Sequence, residues 1–161
     1  SLEALDESAQ RSAVRAAAAS MIGSRPLSKK ELTRRLVRKG ADEEDAGEAA
    51  DWLEDIGAVN DREYAAMLVR HYAGKGYGRA RIREEMYRRG VDRELWDQAL
   101  EELPDQSETL DRLIQKKCRG DLSDRREVRR VSDSLLRRGF SWSEVKDALR
   151  RYTELQEDES C

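Results

Sequence analysis

The clearest hydrophobic pattern lies between Asp61 and Gly74, where Tyr64, Ala65, Leu68 and Tyr72 fall on one face at helical spacing. Ala13 to Ile22 and Leu110 to Ile114 predict helices of the same kind, and no stretch alternates apolar with polar long enough to predict a strand. Helix starts are marked chemically. Ser28 with Glu31, Asn60 with Glu63 and Ser141 with Glu144 have capping-box spacing, although the motif prefers Ser or Thr to Asn. Helix ends are marked by glycine. Gly40, Gly90 and Gly139 each stand where a second helix must stop and the chain needs a positive φ. Asp42, Asp92 and Ser141 follow as candidate N-caps of a third helix.

These signals repeat. Glu31–Leu53, Arg81–Leu103 and Arg130–Tyr152 align without a gap at offsets of 50 and 49 residues. The three glycines coincide, and so do Arg38, Arg88 and Arg137, then Leu36, Met86 and Leu135. Beyond the glycine, Ala46, Trp96 and Val145 share a position, as do Ala49, Ala99 and Ala148; Trp96 therefore reads as core. Trp52 aligns with Glu102 and Arg151 and reads as more exposed, at a junction. With a helix ahead of each block, the expected fold is all-α, three tandem three-helix repeat units stacked in an array. The expected boundaries are 11–59, 60–104 and 105–152, flanked by polar, frayed segments at 1–10 and 153–161. The third helix of the first unit is poor in large apolar residues, with Ala46, Gly47, Ala49 and Ala50, so it must pack closely or weakly.

Composition narrows the function classes. Of 161 residues, 40% are charged and 6% aromatic, a balance suited to thin helical cores rather than a large interior. Nothing approaches the ~18 consecutive apolar residues of a membrane span. The 31 Lys+Arg and 34 Asp+Glu leave a net charge of -3, so a basic surface must come from how the helices segregate charge. Cys118 and Cys161 match neither a metal-ligand spacing nor a disulfide framework, and the acidic start lacks the features of a signal peptide. A cytoplasmic protein is expected. His71, the only histidine, reads as a surface residue, and no nucleophile–base arrangement is supported by a motif. No catalytic residue, metal or cofactor is expected.

Two sets of basic residues invite a binding role. The pairs Arg38-Lys39, Arg88-Arg89 and Arg137-Arg138 close the second helix of each repeat. There they either offset the macrodipole, at ~0.3–1 kcal/mol each, or form a contact stripe. The second set surrounds Gly74-Lys75-Gly76-Tyr77-Gly78, followed by Arg79, Arg81 and Arg83, with Arg70 on the helix before it. Cations are disfavoured at a helix N-terminus, so this set asks for a partner. Tyr77 fits either a stacking contact or a buried turn anchor. The run is not a phosphate loop, because it lacks the Lys-Ser/Thr pair and a preceding strand.

The segment Trp52-Leu53-Glu54-Asp55-Ile56-Gly57-Ala58-Val59-Asn60-Asp61-Arg62-Glu63-Tyr64-Ala65 carries a resemblance. Gly76-Tyr77-Gly78, Arg81 to Met86, Arg89-Gly90-Val91 and Leu136 to Trp142 carry it further. Taken together, from about Ala13 to Tyr152, the chain resembles the RecX family of bacterial regulators of the RecA recombinase. The resemblance implies an elongated, curved array of three-helix units that binds the groove of the RecA–single-stranded DNA filament. It also implies inhibition of filament extension, ATP hydrolysis, strand exchange and LexA co-cleavage, with single-stranded DNA in the filament as a second candidate contact. A monomer without a membrane partner is expected. The alternative reading is a helical nucleic-acid-binding module that acts on DNA directly, whose mark would be a steep salt dependence of binding.

Overall fold

The structure is a computed structural model and describes residues 1–160; Cys161 lies outside the described residues. All regular elements among them are helical: α1 (Leu2–Ser24), α2 (Lys29–Arg38), α3 (Glu43–Asp55), α4 (Asp61–Gly74), α5 (Arg79–Arg88), α6 (Trp96–Leu100), α7 (Ser107–Lys117), α8 (Arg125–Arg137) and α9 (Trp142–Ser160). A single 3₁₀ turn, Arg93–Leu95, leads into α6. No helix among the described residues is long and apolar enough to cross a membrane.

All but one of the expected caps operate. Ser28 accepts from the Glu31 amide while the Glu31 carboxylate accepts from the Ser28 amide, and Ser141 with Glu144 forms the same reciprocal pair. Asn60 accepts from the Glu63 amide at 3.2 Å. Asp42 caps the Glu44 and Asp45 amides. Asp92 behaves differently and makes no side-chain cap. Its carboxylate lies 3.2 Å from Lys30 Nζ, and the chain begins with a 3₁₀ turn pinned by the Trp96 indole N–H on the Val91 carbonyl at 3.0 Å. An ion pair on α2 thus replaces the cap. The terminal segments continue as helix, with Ser1 capping the Ala4 amide, and every side chain from Ser1 to Ala13 and from Thr153 to Glu159 is exposed.

Contacts divide the chain into two compact units. The first comprises residues 1–67 and 86–97, the second residues 68–85 and the described residues from 98 onward. In the first, Ala18 of α1, Leu32 and Leu36 of α2, and Ala46, Ala49, Ala50 and Leu53 of α3 are buried in one core with Leu27 and Val59. The alanine-rich α3 packs closely, its three core alanines having no exposed surface. Trp52 packs half-buried at the edge of this core, with the Arg15 guanidinium 4.9 Å from its ring and bonded to Glu48. In the second unit, Leu110 and Ile114 of α7, Val131 and Leu135 of α8, and Val145 and Ala148 of α9 bury against Phe140. The middle stretch feeds both. Tyr64, Ala65, Met86, Val91 and Trp96 are buried residues of the first unit, and Leu68, Val69, Ile82, Ala99 and Leu100 of the second.

The same joint is built once in each unit. In the first, the start of α2 meets the glycine turn after α5: the Ser28 hydroxyl donates to the Arg89 carbonyl, and a Cβ at Gly90 would lie 2.8 Å from Lys30 Cβ. In the second, the start of α5 meets the glycine turn after α8. There the Gly78 amide donates to the Arg138 carbonyl at 2.8 Å and the Ala80 amide to the Gly139 carbonyl at 3.1 Å. A hydroxyl in one joint does what a backbone amide does in the other.

Candidate partner-binding surface

Tyr77 sits in the joint of the second unit, and its surroundings are internal. Its carbonyl accepts from Gln106 Nε2 at 2.8 Å, and its ring meets Tyr72 edge-on with centroids 5.9 Å apart. The guanidinium carbons of Arg81 and Arg138 lie 5.4 and 5.3 Å from its centroid, within cation–π range. Arg138 Nη1 also donates to the carbonyls of Lys75 and Gly76 at 3.2 and 3.3 Å, neutralising the negative end of α4. Arg81 reaches Glu85 at 3.7 Å, and the Tyr72 hydroxyl donates to the same carboxylate at 3.1 Å. Glu85 is buried, so these donors offset its desolvation. Arg81 therefore has an internal reason to stand at a helix N-terminus.

Arg89 is engaged in the first unit. It donates to the Tyr64 hydroxyl at 3.2 Å. Burial, then the neighbouring Glu31, pushes that phenol up to about 12. The remaining residues of the two basic sets, Arg38, Lys39, Arg70, Lys75, Arg79, Arg83, Arg88 and Arg137, have exposed side chains. Four of the twelve candidates thus build the fold and eight face solvent.

Within the second unit the exposed cations have company. Arg70 and Lys75 line a cleft of about 720 Å³ with Arg112 and Lys116 of α7, and the acid beside them, Glu102, lies 3.8 Å from Arg70. Burial, then Arg138, Lys116, Arg130 and Arg137, pushes the Lys117 ammonium below its ordinary value. Positive charge is concentrated along the end of α7 and the start and end of α8, although the residues from 105 onward are charge-balanced in the sequence. No group of three or more His, Cys, Asp or Glu side chains is arranged to hold a metal among the described residues. Cys118 is a half-buried free thiol 3.0 Å from the Gly120 carbonyl.

Two family models match: the second three-helix domain of RecX over residues 60–100 and the third over 105–149. The chain belongs to the RecX family. Regulatory protein RecX of Pseudomonas entomophila is 37% identical over 131 residues, covering 80% of this chain and 84% of the relative. That of Ectopseudomonas mendocina is 37% identical over 140 residues, 86% of this chain and 93% of the relative. The fold is similar to the crystal structure of RecX from Lactobacillus salivarius, with a TM-score of 0.83 at 23% identity over 91% of this chain and 98% of that one. A second crystal structure, of regulatory protein RecX, has a TM-score of 0.84 at 21% identity over 92% of this chain and 77% of that one. Membership makes this a regulatory protein of repeated three-helix domains.

Some surface residues of this RecX-family chain carry no motif in the sequence. Arg112 and Lys116 are separated by one helical turn and share a face, a spacing visible in the sequence once α7 is placed. Tyr87 follows the buried Met86 directly, so it lies about 100° off the apolar stripe of α5, and it is 76% exposed.

Proposed function

We propose that this chain binds the RecA–single-stranded DNA filament as a monomer in the bacterial cytoplasm. It inhibits RecA activities there: filament extension, ATP hydrolysis, strand exchange and co-protease function, and with them the SOS response. The observation that carries the reading is the 37% identity to RecX regulators over most of both chains. Residues 11–59, 60–104 and 105–152 are its repeated contact units. The exposed cations Arg38, Lys39, Arg70, Lys75, Arg79, Arg83, Arg88 and Arg137 meet the filament. Tyr77, Arg81, Arg89 and Arg138 support this surface from within. Exposed cations of this kind steer association with an anionic assembly and make it sensitive to salt.

The test is single-strand-DNA-dependent ATP hydrolysis by the cognate RecA, titrated with this protein. Inhibition at a small ratio of protein to RecA supports a contact with the filament. Inhibition only when the protein saturates the DNA moves the function to DNA itself, and no effect at any ratio removes the reading. Arg79→Ala with Arg83→Ala is expected to weaken inhibition at unchanged helicity. Arg81→Ala is a poor substitute for either, because it also removes the Glu85 and Tyr77 contacts.

A further inference from the structure

An exposed tyrosine stands at the rim of a basic groove in the first unit. The groove, of about 520 Å³, is walled by Lys30 and Arg34 of α2 and by Tyr87, Arg88 and Arg93, with Asp92 as its one acid. Lys30 holds that acid at 3.2 Å, so the local balance is strongly positive in a chain whose net charge is -3. Trp96, itself buried, also lines the groove, and the Arg93 guanidinium carbon lies 5.2 Å from its ring centroid. That stacking holds a flat cation at the groove wall. The repeats do not share this arrangement: where the first has Lys30 and Arg34, the second has Ala80 and Glu84.

We propose that this groove binds single-stranded nucleic acid directly, with Tyr87 stacking on a base and Arg34, Arg88 and Arg93 meeting the flanking phosphates. The inference does not depend on RecA. A tyrosine ring left 76% exposed offers a π-face that any base can use, and cations around it match the backbone that joins successive bases. An acidic protein segment would use the cations and leave the ring idle. A duplex keeps its bases stacked on one another and out of reach.

The test is anisotropy of a dye-labelled oligo-dT with the full-length protein and no RecA. Wild type is expected to bind with salt-dependent affinity, Tyr87→Phe to stay within about twofold, and Tyr87→Ala to bind about tenfold more weakly. Arg34→Ala with Arg93→Ala should flatten the slope of log K against log salt by about 1.4, the loss of two single-strand phosphate contacts. Oligo-dT should quench the indole emission of Tyr87→Trp more than that of wild type, whose Trp52, Trp96 and Trp142 set the background. Because Tyr87 is exposed, circular dichroism should be the same for all its variants. Equal binding by Tyr87→Ala would overturn the inference, as would tighter binding to duplex than to single strand. Poly-glutamate binding with the same loss in Tyr87→Ala would make the groove a protein-docking surface and overturn it too. No binding by wild type would end this inference while leaving the RecA reading to its own ATP-hydrolysis assay.

Discussion

A methyl group added at Gly139 would lie 2.4 Å from the Arg81 amide nitrogen, and one at Gly78 would lie 2.6 Å from the Gly139 carbonyl. Real side chains do not approach backbone so closely, and Gly139 also holds φ +97°, a conformation L side chains rarely adopt. Gly139→Ala must therefore push the start of α5 off the turn after α8 and break the Ala80–Gly139 hydrogen bond. A loss of at least ~2 kcal/mol in urea unfolding is expected. Gly47 is the internal control. It lies inside α3 with nothing within 4 Å of an added Cβ, so Gly47→Ala should stabilise by ~0.5–1 kcal/mol through helix propensity. If both substitutions cost the same, the close approach at the joint is not what stabilises it. The glycine was legible in the sequence as a helix stop, but its second role was not. Nothing local says that another helix will start against it, and Gly40, at the same repeat position, meets nothing within 4 Å.

Helix ends were the most legible elements, because a cap is a contact between residues two or three positions apart. Ser28, Asn60, Asp42 and Ser141 cap as their spacing predicts. Asp92 has the same local chemistry and fails to cap, since Lys30 lies near it in space and not in sequence. The candidate site follows that rule. The sequence marks the basic residues by type, but carbonyls and rings brought in from other helices turn Arg81, Arg89 and Arg138 inward. One further link was invisible for the same reason. Glu127, at the start of α8, accepts from Arg130 and from the Arg119 amide at 2.8 Å, and so ties the loop after α7. The Arg130 hydrogen bonds, then the Arg119 amide, hold its carboxyl down to about 2, against 4.5 for a free glutamate. A depressed carboxyl contributes to the fold above its unfolded value, and that contribution fades as pH falls from about 4.5 toward 2. Glu127→Gln should thus release the loop already at neutral pH. Trypsin cleavage after the exposed Arg119 should then be faster in the variant than in wild type, with the difference disappearing at acidic pH in a pH-tolerant protease digest. Equal cleavage at neutral pH would show that the loop is held by other contacts.

The boundaries of the two compact units do not coincide with those of the repeats. The division passes through α4 between Met67 and Leu68 and through α5 between Glu85 and Met86. Each of these helices, 14 and 10 residues long, thus donates one part of its length to each unit. Isolated helices shorter than ~12–15 residues are marginal in water, so neither can persist as half a helix when the core at one end melts. Loss of one unit should therefore unravel backbone that the other needs, and the chain should unfold as a single cooperative system. Two substitutions placed in different units test this. Ser28→Ala removes a cap and the Arg89 contact in the first unit and should cost ~1–2 kcal/mol. Gly139→Ala acts only in the second. In calorimetry, wild type should give one transition with the van't Hoff enthalpy equal to the calorimetric one, and each variant should lower that same midpoint without splitting it. Two transitions, each moved by only one of the substitutions, would mean that α4 and α5 break at the division and that the units fold independently.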